Sequence, residues 1–318
     1  MKQMDTASAE RYPNFDVLRL FLAFIVVVAH LYLFCTPNRS WQAWIMAVPA
    51  FLAISGVVVL KSYSEKTSLK DFAIRRILRI IPALTASLLL TYFLFDFTVT
   101  KNSITTWLTG GIYLPKNGYT NQALWSLAWE ELSYLMLAFL WFIGAYKKPI
   151  LIWGALALTT VIAFSLSAYR SDPLSITLAL LAQAFFVGNL AFLYRARLKV
   201  FGLVLPWVFL IALLVSPPFP MRPLLQAAAI VLVGISGYPL IRRKLPDISY
   251  GIYIYHIPIL LFITEKLRIT DILNASVILV VVLIPTCIAS WFLIEQPCIR
   301  FKRRNHVGTA IRAREASS

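Results

Sequence analysis

Apolar runs long enough to cross a bilayer recur along the whole chain, broken by short polar segments. A transmembrane helix needs about 20 predominantly apolar residues. By that measure the pattern predicts spans at 14–34, 42–61, 77–98, 123–145, 149–168, 174–194, 200–216, 223–241, 249–265 and 272–295. The expected fold class is therefore all-α: a polytopic integral membrane bundle of about ten transmembrane helices. A membrane-embedded domain would cover 1–304, leaving 305–318 as a short tail. One connection stands apart. Residues 99–122 are rich in Gly, Asn, Thr and Tyr. A connection of that length either dips back toward the membrane to cover a site or is an ordinary surface loop.

Charge orients the spans. Lys61, Lys66, Lys70, Arg75, Arg76 and Arg79 gather between the second and third spans. Lys147 and Lys148, then Arg195, Arg197 and Lys199, then Arg242, Arg243 and Lys244 follow on alternate connections. Arg300, Lys302, Arg303, Arg304, Arg312 and Arg314 come after the last span. The opposite connections hold only Arg39, Lys101, Lys116, Arg170, Arg222, Lys266 and Arg268. Positive charge on every second connection predicts both termini in the cytoplasm. Asp5, Glu10, Arg11 and Asp16 precede or open a first apolar run long enough to span, so no cleavable signal peptide is expected.

Composition agrees. Only 14% of the 318 residues are charged, against roughly 25% in soluble domains. The net charge of +16 would suit a nucleic-acid partner, but its distribution follows topology, so the partner is the lipid bilayer and no nucleic acid is expected. Cys35, Cys287 and Cys298 have neither metal-site nor disulfide spacing.

Ionisable residues inside spans are costly and mark function by default. Arg19 and His30 are eleven residues apart in the first span. That is close to three turns, so both side chains share a helix face, roughly 16 Å apart along the axis. Glu130 falls near the outer end of an inward-running span, at the depth expected for His30, where a carboxylate would fix the imidazole tautomer. Ser126, Glu130, Ser133 and Tyr134 form one polar stripe. Arg76 and Arg79 share a face and, with Arg19, suit bidentate phosphate binding. Ser249, Tyr253 and His256 share another face; His256 either lines the site or packs against a neighbouring helix. Pro49 and Ser55-Gly56 permit a bend or a close helix approach. Glu295 is placed to pair with an inner arginine.

Asp16-Val17-Leu18-Arg19, followed by His30, resembles the opening motif of the membrane acyltransferase 3 family. Phe51-Leu52-Ala53-Ile54-Ser55-Gly56, Arg75-Arg76-Ile77-Leu78-Arg79-Ile80-Ile81-Pro82 and Trp125-Ser126-Leu127-Ala128-Trp129-Glu130 are similar to its next three. Ile248-Ser249-Tyr250-Gly251 with His256, and Glu295-Gln296-Pro297, resemble its closing motifs. The resemblance covers nearly the whole chain in order. It implies a ten-span enzyme of the bacterial cytoplasmic (inner) membrane. Such an enzyme moves an acyl group, usually acetyl, from cytoplasmic acyl-CoA to a hydroxyl of an extracytoplasmic glycan or lipid-linked saccharide. Some members carry a fused extracytoplasmic domain; none follows in this sequence, which keeps open a partner protein that finishes the transfer. The central region, spans five to eight, matches no motif.

The expected mechanism joins both lines. Arg19, Arg76 and Arg79 hold the acyl-CoA phosphates. His30 acts as base on the acceptor hydroxyl or carries the acyl group itself, and Glu130 supports it. Asp16, Ser126, Tyr134, Tyr253 and His256 line the site. No metal and no permanently bound cofactor is expected; acetyl-CoA or another acyl-CoA is the donor substrate. Rival classes are a transporter, since buried His, Glu and Arg also mark ion paths, and a structural membrane protein. Paired broken helices in two halves would favour the transporter, and the sequence has none.

Overall fold

A computed structural model describes residues 12–36, 46–65, 68–115, 118–201, 204–205, 207–208, 219–236, 238–241 and 246–300. Among these, helix accounts for all regular structure. Helix α1 (Asn14–Cys35) starts directly after Pro13. Helix α2 (Ala47–Ser64) carries Pro49 in its first turn, where a missing N–H costs no helical hydrogen bond. Helix α3 (Leu69–Leu94) is capped by Ser68, whose side chain accepts from the Asp71 N–H at 3.4 Å. It begins eight residues before the expected span at 77, because the apolar pattern cannot see a polar first two turns. Lys70, Arg75, Arg76 and Arg79 therefore ride on a helix and not in a connection.

Helix α4 (Phe97–Leu108) occupies half of the connection expected either to dip back over a site or to be a surface loop. Asp96 caps it, accepting from the Val99 N–H at 2.9 Å. Its buried residues Val99, Ser103 and Thr106 fall on one face, and it packs against α3 and α5 (Trp125–Phe142). Helices α6 (Pro149–Ala168) and α7 (Pro173–Leu193) each open on a proline, a position where its fixed φ suits the helix. Short α8 (Arg195–Val200) and α9 (Met221–Ile235) follow. Helix α10 (Ser249–Leu261) passes into a π-turn at Phe262–Lys266, and α11 (Ile272–Ser290) into another at Trp291–Glu295.

Among the described residues, six helices are long and apolar enough to cross a membrane: α1, α2, α3, α6, α7 and the continuous Ile272–Arg300 segment. The expected spans at 123–145 and 223–241 are helical but carry two carboxylates or stop short of a full crossing, and that at 249–265 is helical throughout but rich in polar residues. Most of 200–216, all of 42–45 and the tail 305–318 lie outside the described residues.

The centre of the bundle is the α2–α7 pair. A Cβ at Gly188 would stand 2.0 Å from the Ala53 carbonyl oxygen, and one at Gly56 2.4 Å from that of Phe185. Two backbones in contact leave no room for any side chain. The expected close approach at Gly56 is thus realised, against α7. Helix α10 is buried on nearly all sides, whereas α6 and α11 present Leu158, Val161, Val277 and Val281 outward, as lipid-facing helices do. Asn14, fully buried, ties the start of α1 to the end of α9. Its amide donates to the carbonyls of Val233 at 2.9 Å and Tyr238 at 2.8 Å, and its oxygen accepts from the Leu240 N–H at 2.7 Å.

Candidate functional site

Where α1, α3 and α10 begin, four arginines surround one space. Arg19 comes from α1 and Arg75, Arg76 and Arg79 from α3; with Asp247 they line a recess of about 690 Å³. Arg79 donates to Asp247 Oδ2 at 2.6 Å, and Arg19 stands 3.9 Å from the same oxygen. Ser249 donates to the other carboxylate oxygen at 2.9 Å. Burial pushes the Asp247 carboxyl up, but the Arg79 and Arg19 guanidiniums outweigh it and hold it at about 2. Arg76 lies against the rings of both Phe72 and Tyr134, at 5.8 and 5.5 Å from their centroids.

These guanidiniums are not spent. Arg75 donates once, to the Ser62 carbonyl at 3.3 Å. Its Nε and Nη1, and the Nε of Arg76, are buried with no hydrogen-bond partner. Buried donors without acceptors are costly unless a ligand satisfies them, and forked guanidiniums match phosphate oxygens. Arg75 belongs to the same basic cluster and motif as Arg76 and Arg79 but is not among the residues expected to bind phosphate; helix α3 carries all three.

A second space, of about 750 Å³, shares Arg19, Arg76 and Arg79 with the first and runs on between α2, α5 and α10. Ser55, Ser126, Glu130, Tyr134 and Tyr253 supply its polar wall. Glu130 Oε1 accepts from Ser55 Oγ at 2.6 Å and from Tyr134 Oη at 2.5 Å. Ser126 and Tyr253 share a hydrogen bond of 2.7 Å. The expected polar stripe of α5 therefore faces the interior.

His30 is placed differently from expectation. Its partners are the Val26 carbonyl at 2.9 Å and Nε2 of His256 at 3.2 Å, both at Nδ1. The expected support from Glu130 is not what the geometry gives: Glu130 is engaged by Ser55 and Tyr134 on the cleft side. Tyr253 lines the cleft with its ring 6.1 Å from that of His256, and His30 is not among the lining residues. Equal depth along two helices did not bring their side chains together, because depth says nothing about which helices are neighbours. The helix that meets α1 face to face is α10, and it brings His256.

The tautomers follow from the partners. A carbonyl oxygen only accepts, so Nδ1 of His30 carries a proton toward Val26. Nδ1 of His256 likewise carries one toward the Ile252 carbonyl, 3.0 Å away. In the neutral rings both Nε2 atoms are then lone pairs. That of His256 shares the Nδ1–H of His30 with the Val26 carbonyl in a three-centre bond, and that of His30 is left as a base.

The remaining expected residues are dispersed. Asp16 sits in the first turn of α1, outside the lining of both spaces. Glu295 is buried at the end of the last π-turn and accepts from Ser290 at 3.2 Å. Arg79 makes its contact ion pair with Asp247, and Glu295 attracts the same guanidinium from farther away. A third space, of about 820 Å³, lies between α3 and α5 on the outer side of the site. It is apolar, with Ile77, Ile81 and Leu135 exposed along it, and it shares Arg76, Ile80 and Tyr134 with the cleft. The end of α4 closes over α5 here: Trp129 donates to the Gly110 carbonyl at 2.8 Å, and Gly110 takes a φ of +58° with the Trp129 ring against it.

Comparison with known proteins bears on this arrangement. The family described as "Acyltransferase domain" matches residues 12–295. An O-acetyl transferase of Shigella phage Sf6 is 28% identical over 77% of this chain and 84% of its own length. Nodulation protein 10 of Rhizobium leguminosarum bv. viciae is 29% identical over 91% of this chain and 94% of its own. No solved structure matches the chain significantly.

Proposed function

This chain belongs to the acyltransferase 3 family, and we propose that it is a multi-pass O-acyltransferase. It transfers an acyl group, acetyl first among them, from cytoplasmic acyl-CoA to a hydroxyl of an extracytoplasmic glycan or lipid-linked saccharide. The observation that carries the proposal is the continuity of an arginine recess with a polar cleft through shared Arg19, Arg76 and Arg79. A donor with several phosphates at one end and a long, flexible, polar arm at the other fits that succession. The relatives support the chemistry: one is named an O-acetyl transferase. In this reading the alternating positive charge sets both termini on the cytoplasmic side of a bacterial inner membrane, so the recess faces the donor.

In this reading Arg19, Arg75, Arg76 and Arg79 bind the phosphates, and the pantetheine arm lies along Ser55, Glu130 and Tyr134. The thioester passes Tyr253 to reach His30. His30 Nε2 takes the proton of the acceptor hydroxyl as that oxygen attacks the thioester carbonyl; the departing thiolate then takes the proton. Alternatively Nε2 attacks the thioester carbonyl and expels the CoA thiolate; the acceptor hydroxyl then takes the acyl group from the imidazole, and its proton passes to the thiolate. Glu130 keeps the cleft wall in place through Ser55 and Tyr134.

The test is base-labile O-acyl ester on cell-envelope carbohydrate, in a deletion strain complemented with wild type or His30→Ala. Membrane levels of the two proteins are matched. Ester restored by wild type alone is expected. Ester restored equally by His30→Ala overturns the role of His30, and no ester change in any strain overturns the glycan acceptor.

A further inference from the structure

From the geometry we infer that His256 is the positioning residue of the reaction: its Nε2 is the fixed acceptor that orients His30 and steadies its protonated form. The inference rests on the acyl-transfer reading but is carried by its own observations. Histidines that merely pack have no need of matched tautomers. Here both Nδ1 atoms face the carbonyl four residues back, at 2.9 Å for His30 and 3.0 Å for His256. The remaining lone pair of His256 lies 3.2 Å from His30 Nδ1, whose single hydrogen is shared between it and the Val26 carbonyl in a three-centre bond. The rings are 5.0 Å apart and tilted by 53°, an arrangement set by the hydrogen bond and not by stacking.

His256 is fully buried among apolar residues of α10. A charge there would be costly, so it remains a neutral acceptor throughout, without taking the proton itself. A carboxylate performs this office in hydrolase triads; a neutral imidazole does it here without adding a buried negative charge. When His30 Nε2 gains the acceptor's proton, the Nδ1–H already donating to His256 becomes charge-assisted and stronger. The bond thus favours the charged state that exists only during transfer, which is the condition for acceleration.

Two variants separate positioning from packing. Glutamine places an acceptor near the site of a histidine Nε2, and asparagine does not reach it. The expected result is that His256→Gln keeps kcat within about tenfold of wild type. His256→Asn should lose roughly 10²-fold, the scale of one acid–base contribution, with KM for acyl-CoA unchanged in both. A packing role instead predicts equal losses, in step with thermal stability, and that outcome overturns the proposal. The chain has three histidines, His30, His256 and His306, so ¹⁵N-histidine labelling gives a tractable spectrum. A nitrogen–nitrogen coupling across the bond between His30 Nδ1 and His256 Nε2 is expected in wild type and absent in His256→Gln. Its absence from wild type also overturns the pairing. A coupling found in a protein that acylates nothing would overturn the reaction while sustaining the pairing, so the two failures are told apart.

Discussion

Ser55 Oγ and Glu130 Oε1 lie 2.6 Å apart, a hydrogen bond that ties α2 to α5 across the polar cleft. Glu130 receives a second bond from Tyr134 on its own helix, so one carboxylate holds two walls. Ser55→Ala removes a single charge-assisted bond and is expected to cost about 1.5–3 kcal/mol of stability. Glu130→Gln keeps the size but loses the charge, and kcat should fall by about tenfold or more. Thermal unfolding in detergent and steady-state kinetics check the pair; equal kcat in wild type and Glu130→Gln would remove the carboxylate from the chemistry.

Arg75 holds two buried donors without partners beside the recess. Arg75→Gln should raise KM for acyl-CoA by roughly 10–100-fold, the loss of one hydrogen bond to a charged group, while leaving kcat near wild type. Lys147→Gln, exposed beyond the end of α5, is the control and should change neither. An unchanged KM in Arg75→Gln would mean that its free N–H groups face no substrate.

Asp247 gives a stability signature in pH. Its carboxyl is held at about 2, below the ordinary value of 3.8. A depressed carboxyl contributes fully above its unfolded pKa and loses that contribution as pH falls toward the folded value. The contribution is on the order of 2 kcal/mol. The stability gap between wild type and Asp247→Asn should therefore be constant above about pH 4 and close between pH 4 and 2. A gap that widens in acid would contradict the Arg19–Asp247–Arg79 arrangement.

Gly188→Ala tests the spine of the bundle. The new methyl would meet the Ala53 backbone carbonyl, which has no rotamer with which to yield. The helices would have to separate, at a cost of about 1–3 kcal/mol or more. Gly154→Ala, with nothing within 4 Å of its added Cβ, is the paired control and should be neutral or slightly stabilising. Unfolding in detergent reads both.

What the sequence disclosed, and what it withheld, follows one division. Periodicity along a single helix was readable: the inward stripe of Ser126, Glu130 and Tyr134 needs only 3.6 residues per turn. Pairing between helices was not. Glu130 and His30 were matched by depth, yet α1 meets α10 and α5 meets α2. The consequence is that His30 finds His256, and Glu130 finds Ser55. Helix starts hidden under polar residues were also missed. Ser68 and Asp96 are ordinary capping residues, and giving them weight would have placed the basic cluster on α3 and found α4.

The apolar groove between α3 and α5 leaves the reaction chamber separated from its surroundings by a single layer of side chains, Arg76, Ile80 and Tyr134. Whatever hydrocarbon lies against the protein there touches the residues that line the cleft. The bilayer is then more than a container for this protein: hydrocarbon seated in the groove would bear on the same three side chains that face the cleft, and a detergent that replaces it would change what they pack against.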